Sequence, residues 1–145
     1  MNPNSLVQSE LALDLPGQPG AAATLLVVDD EAAIRELEVL VLRGLGYKVL
    51  SADGPVQALL QAAFTPTIDL LLTDYLMPEA DGVELAHWVR RVHPRTPVLM
   101  VTGSLEALNG RAAELERFQT LVKPFTVIQL AQKVRSSLNA EPHLP

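Results

Sequence analysis

The sequence predicts an α/β domain: a five-stranded parallel sheet covered by helices on both faces. Three observations carry this. Continuous apolar runs without polar alternation recur at residues 24–28, 68–74 and 97–101, and such runs belong to strands buried on both sides. Segments of helical periodicity separate them, so strand and helix alternate five times. That alternation implies right-handed βαβ units and a parallel sheet.

Taken in order, residues 1–22 hold Pro3, Pro16, Gly17, Pro19 and Gly20 and read as a flexible tail. Leu11, Leu13 and Leu15 alternate within it, but a solvated tail is the simpler reading. Residues 24–28 form the first strand, which ends on Asp29-Asp30-Glu31. A helix follows with Ile34, Leu37 and Val41 as its inner face, stopped by Gly44 and Gly46. Residues 47–52 are a second strand. Asp53-Gly54-Pro55 turns the chain and places proline at the first position of a helix running to Phe64. Thr65-Pro66 breaks it before the strand 68–74. Met77-Pro78 and Ala80-Asp81-Gly82 form a loop leading into a helix over 82–92, with Val83, Leu85, Ala86 and Val89 inward, which His93-Pro94 ends. The strand 97–101 stops at Thr102-Gly103, and Ser104 is placed to cap the segment after it. Residues 105–117 predict a short or irregular helix, because Asn109-Gly110 interrupts it. Residues 120–122 are a brief strand ending on Lys123-Pro124. Thr126 caps a last helix in which Leu130, Val134 and Leu138 stack four apart. The domain so read covers 23–139, followed by a short tail over 140–145. No internal repeat, second domain or effector module is expected.

Composition narrows the function. The chain has 145 residues, 48% hydrophobic and 19% charged, which suits one globular domain. A net charge of -6 disfavours direct nucleic-acid binding, which needs a basic face. There is no cysteine, hence neither a disulfide framework nor a thiolate metal site. No apolar run is long enough to span a membrane, and the N-terminus lacks the pattern of a signal peptide. A cytoplasmic location is the expectation.

In a parallel sheet all the strand carboxyl ends share one edge, where ligands bind in open α/β folds. Here those ends carry Asp29 and Asp30, Asp74, Thr102 and Lys123. Three crowded carboxylates raise one another's pKa, and a divalent cation removes the conflict. With only oxygen ligands at these positions, Mg²⁺ fits best. Acid, ion, lysine and hydroxyl together form a cradle for a phosphoryl group. A carboxylate can itself be the nucleophile, giving an aspartyl-phosphate. Asp74 is the candidate, because it stands alone at the end of the central strand.

These residues resemble the receiver domain of two-component response regulators. The match rests on Leu25-Leu26-Val27-Val28-Asp29-Asp30-Glu31, on Leu71-Leu72-Thr73-Asp74-Tyr75-Leu76-Met77-Pro78 with Asp81-Gly82, on Val101-Thr102-Gly103 and on Lys123-Pro124-Phe125. It spans roughly residues 24–139, with each fragment at a strand end. The resemblance implies a flavodoxin-like doubly wound sheet of strand order 2-1-3-4-5 with five helices, an architecture for which a chemotaxis receiver is a standard example. It implies that Asp74 is the phosphoacceptor. It implies Mg²⁺ held by Asp30, Asp74 and the backbone carbonyl of Leu76, with Asp29 acting through a metal-bound water. Lys123 would pair with the acid and then with the phosphoryl oxygens, while Thr102 would swing toward the phosphoryl. A cis bond before Pro124 would aim Lys123 inward. The donor would be a phosphohistidine on a sensor kinase or histidine phosphotransfer protein, and output would pass to a downstream protein partner. A homodimer through the last helix is usual in the family. The chemistry implied is phosphoryl transfer onto the protein itself and its own dephosphorylation.

The chain departs from the family pattern at Thr120, where Tyr or Phe usually acts as a rotamer switch, and at the Asn109-Gly110 break within the fourth helix. Apolar Leu76 and small Ser104 flank the site and lead us to expect a slowly hydrolysed phosphoryl group. Glu31 reads as a helix-dipole residue with a minor role, Asp81 as a turn residue, and His87 and His93 as solvated. Trp88 reads as half-exposed packing. A phosphorylation-independent interaction module of the same fold is the alternative. A haloacid-dehalogenase-type phosphatase would need a second acid where Leu76 stands. Flavin or nucleotide binding would need a phosphate loop where Asp29-Asp30-Glu31 stands.

Overall fold

The structure is a computed structural model and describes residues 23–103 and 112–140. The tail over 1–22, the Ser104 cap, the Asn109-Gly110 break and residues 141–145 lie outside the described residues. Five strands, β1 (Thr24–Val28), β2 (Lys48–Ala52), β3 (Leu70–Asp74), β4 (Val98–Thr102) and β5 (Gln119–Val122), alternate with α1 (Ala32–Gly44), α2 (Pro55–Phe64), α3 (Gly82–Val92), α4 (Ala112–Leu115) and α5 (Val127–Asn139). The sheet is parallel, in the order β2-β1-β3-β4-β5. This is the flavodoxin-like doubly wound arrangement.

Side chains alternate across each strand, so every inner strand feeds two apolar layers. Leu25, Val27, Leu70, Leu72, Leu99 and Val101 pack with Val41 and Leu42 of α1 and Leu130 and Val134 of α5. Leu26, Val28, Leu71, Val98 and Met100 pack on the other face with Ala58 and Ala62 of α2 and Val83, Ala86 and Val89 of α3. That double burial is why the strands read as unbroken apolar runs. The outer edge of β2 is covered by side chains: Arg43 Nη2 donates to the Val49 carbonyl (2.9 Å) and Gln61 Nε2 to that of Ser51 (2.8 Å). Such capping keeps an edge strand from pairing with another chain.

Punctuation follows the residues expected. Gly46 turns the chain after α1 with φ at +98°, a conformation that disfavours any Cβ. The Asp81 carboxylate accepts from Glu84 N–H (2.9 Å) at the start of α3. Thr126 and Gln129 cap α5 reciprocally: Thr126 Oγ1 accepts from Gln129 N–H (3.0 Å) and Gln129 Oε1 from Thr126 N–H (2.8 Å).

Two expectations need correction. The inner face of α1 is not Ile34, Leu37 and Val41. Leu37 is 45% exposed, and Glu38, Val41 and Leu42 are the buried residues. The helix meets β1, β2 and α5 along a stripe of spacing three and four, which turns Leu37 out to solvent. His93 is not simply solvated either. Its Nε2 lies 2.8 Å from the Ala62 carbonyl and ties the end of α3 to α2.

Candidate functional site

The sheet delivers the candidate residues to one edge and holds each by a backbone bond across to the next strand. Asp29 N–H donates to Ala52 O (3.2 Å), Tyr75 N–H, just beyond Asp74, to Val101 O (2.8 Å), and Lys123 N–H to Thr102 O (2.8 Å). Groups mounted on strand ends in this way are positioned far more firmly than groups on loops. The loop after Asp74 folds back through a bond from Gly82 N–H to Tyr75 O (2.7 Å). A Cβ on Gly82 would lie 2.6 Å from the Asp74 carbonyl oxygen and against Met100 Sδ. Only glycine allows α3 to start that close to the strand end.

Asp29, Asp30 and Asp74 each place one carboxylate oxygen within 4.8 Å of the others. Asp29 and Asp74 are buried, Asp30 is exposed. Lys123, after the cis Lys123-Pro124 bond, sets its Nζ 3.4 Å from Asp74 Oδ1, 3.7 Å from Asp29 Oδ2 and 3.7 Å from Glu31 Oε1. Thr102 is buried at the end of β4, between β3 and β5 in the sheet. Leu76, two residues past Asp74, turns its side chain outward at 57% exposure.

Burial is the leading electrostatic influence. It raises the Asp74 carboxyl to about 6, opposed by Lys123 and reinforced by Asp29. Asp29 is raised too, by burial first, against the Glu31 amide and Lys123 that favour its charge. Mutual repulsion, which the sequence suggested as the main effect, ranks below desolvation in both. For Lys123, burial works against the charge, but Asp74 and Asp29 outweigh it and hold the ammonium above its ordinary range. Asp29 Oδ1 accepts from Glu31 N–H (2.8 Å). Its Oδ2 is buried and receives no N–H or hydroxyl donor among the described residues. Buried carboxylate oxygens that converge with an unsatisfied lone pair, and with no nitrogen or sulfur ligand beside them, suit a hard divalent ion.

Three neighbours were not singled out as site residues. Arg35 Nη1 donates to the Asp29 carbonyl (2.7 Å). Glu31, assigned only a dipole role, shares Lys123 with the aspartates. Glu38, only 1% exposed, projects from α1 toward the same acids, and burial followed by the Asp29 charge pushes its pKa up to about 8. A 3.6-residue stripe drawn through Ile34, Val41 and Leu42 passes through Glu38, and that stripe was the signal available.

A flavodoxin-like sheet with acids and a lysine gathered at its carboxyl edge places the chain in the class of doubly wound domains that work at that edge. The response regulator receiver domain model matches residues 25–135, and the chain belongs to that family. It is 35% identical over 134 residues to the sensor kinase CckA of Brucella abortus, covering 91% of this chain and 14% of the kinase. It is 32% identical over 117 residues to the response regulator receiver protein CpdR of the same organism, covering 80% and 97% respectively. Against the transcriptional regulator NtrC of Azospirillum brasilense, identity is 31% and the chain spans 25% of that protein. Thus it spans only a minor part of the longer relatives. Among solved structures, the chemotaxis protein CheY4 of Vibrio cholerae matches with a TM-score of 0.70 at 31% identity, covering 81% of this chain and 99% of that one. The receiver domain of the hybrid histidine kinase CckA matches with a TM-score of 0.68 at 32% identity, covering 80% and 99%. Receiver domains generally use Mg²⁺ at an acidic pocket and work with sensor kinases or phosphotransfer proteins. Among the described residues no helix is long and apolar enough to cross a membrane.

Proposed function

We propose that this receiver domain accepts a phosphoryl group on Asp74 from a phosphohistidine of a sensor kinase or phosphotransfer protein. The observation that carries the reading is the three-aspartate cluster with Lys123 Nζ 3.4 Å from Asp74 Oδ1. An Asp74 oxygen attacks phosphorus, the P–N bond of the donor breaks, and the imidazole leaves with a proton. Lys123 holds positive charge against the oxygens of the moving group. Asp30, Asp74 and the Leu76 carbonyl would hold Mg²⁺, with Asp29 acting through its water. The ion supplies charge neutralisation at the phosphoryl oxygens when bound. Thr102, buried at the neighbouring strand end, would report the new group to the surface. The domain over 23–139 would act in the cytoplasm, signalling to a protein partner or relaying the phosphoryl onward, without direct nucleic-acid binding. Homodimerisation through α5 fits the same scheme.

Incubation with acetyl phosphate and Mg²⁺ tests this. Intact mass should show one base-labile phosphoryl group on the parent and none on Asp74→Asn. An unmodified parent, or a modified Asn variant, refutes it. One observation favours a second reading. Thr120, half-buried in β5, is too small to act as an aromatic switch, which suits a module that binds its partner regardless of phosphorylation. Partner affinity left unchanged by Asp74→Asn would support that reading.

A further inference from the structure

The outward face of α2 carries larger apolar groups than its inward one. Pro55, Ala58 and Ala62 are the buried residues, whereas Val56, Leu60 and Phe64 stand 63%, 56% and 85% exposed. Spaced four apart, these three form one row along the helix. Phe64 is the most exposed large apolar side chain among the described residues. No charged residue occurs between Pro55 and Phe64, in a chain that is 19% charged. We propose that this row is a self-association surface: two copies of the chain pair α2 against α2, antiparallel, about a two-fold axis at Leu60. The inference does not depend on the phosphoryl chemistry of the acidic edge.

Two features select a second copy as the occupant. The first is symmetry. A two-fold interface requires that residue i meet residue j and that j meet i. An antiparallel pair centred on Leu60 sets Val56 against Phe64 of the partner subunit, Leu60 against Leu60 of the partner subunit, and Phe64 against Val56 of the partner subunit. The small end of each row thus takes the large end of the other. The same register sets Asp53, the acid that precedes the helix, against Thr67 of the partner subunit rather than against its own like. The second feature is charge. Each copy carries a net charge of -6, so two copies repel wherever charged faces meet. The α2 face holds no charge to oppose or to desolvate. His93 Nε2, 2.8 Å from the Ala62 carbonyl, brings the end of α3 to the end of α2. Val92, just before it, adds another apolar side chain, 52% exposed. This row falls well short of the roughly 800 Å² per partner of a stable interface, so the dimer is a weak one, with Kd on the order of 100 µM.

The test measures the rotational correlation time of the full chain by ¹⁵N relaxation. For a Kd of this order it should rise about 1.5-fold between about 20 µM and about 1 mM protein. Phe64→Asp should hold the monomer value throughout and keep the parent's melting temperature, because the Phe64 side chain is almost entirely in solvent. A second measurement locates the axis. The chain has no cysteine, so Leu60→Cys places a single thiol there. Helices packed about 8–10 Å apart bring facing Cα atoms to about 4–5 Å, within reach of a disulfide. Under a mild thiol oxidant, Leu60→Cys should link into a covalent dimer about tenfold or more faster than Gln132→Cys, at an exposed position on α5. Adding Phe64→Asp should abolish that advantage. A parent that stays monomeric to about 1 mM overturns the proposal and leaves the row to an apolar segment of another protein. Association that survives Phe64→Asp overturns it too, and so does linking through Gln132→Cys as fast as through Leu60→Cys, which would place the contact on α5.

Discussion

Asp74→Asn should stabilise the metal-free protein, and the gain should depend on pH. The carboxyl is 7% exposed and its pKa stands at about 6 against an ordinary 3.8. At roughly 1.4 kcal/mol per factor of ten in the proton equilibrium, ionised Asp74 costs the native state about 3 kcal/mol. The sign is set by linkage. Because the folded pKa is the higher one, the native state binds more protons between the two values, so stability falls as pH rises from 3.8 to about 6. Above that range the whole cost is present; below it there is none. Asparagine mimics the neutral acid and escapes the cost. In urea unfolding followed by circular dichroism with a chelator present, the variant should exceed the parent by about 3 kcal/mol near pH 8 and by less than about 1 kcal/mol near pH 4. Magnesium should then stabilise the parent, by about 2.7 kcal/mol at a hundredfold excess over its Kd, and leave the variant almost unmoved. A variant less stable than the parent at pH 8, or a gap independent of pH, would refute the argument that Lys123 compensates the buried charge at this site only in part.

Lys123→Gln removes the cation 3.4 Å from Asp74 Oδ1, so the Asp74 carboxyl should titrate above its value in the parent; ¹³C NMR of the carboxyl carbon reads this, and an unchanged titration would show that the ion pair does not form in solution. Gly82→Ala sets a Cβ 2.6 Å from the Asp74 carbonyl oxygen, a backbone clash that should cost about 1–3 kcal/mol in thermal or urea unfolding. Thr126→Ala removes the hydroxyl that accepts from Gln129 N–H; it should cost about 1 kcal/mol and speed amide exchange in the first turn of α5 while leaving the acidic edge unchanged.

The parts of the fold legible in the sequence were those where one local rule acts alone. Strands β1, β3 and β4 declare themselves because both faces are buried, so their composition is apolar without alternation. The loop from Tyr75 to Gly82 is legible in the same way: proline, aspartate and glycine there answer to backbone geometry. The site residues Asp29, Asp30, Asp74 and Lys123 could be gathered on paper because a parallel sheet puts every strand end on one side. Glu38 could not be gathered by that logic, since it arrives from a helix and its burial depends on the rotation of α1 about its axis. Leu37 and Glu38 are neighbours, and a turn of about 100° decides which faces the sheet. Propensity does not decide it; hydrophobicity alone would choose leucine. What outweighs it is the packing of Val41 and Leu42 against the sheet and α5, which carries the carboxyl inward and the leucine out. An acid buried against that preference, at a pocket where an aspartate oxygen is buried without a hydrogen-bond donor among the described residues, is where local and global rules disagree, and such disagreements concentrate at working sites.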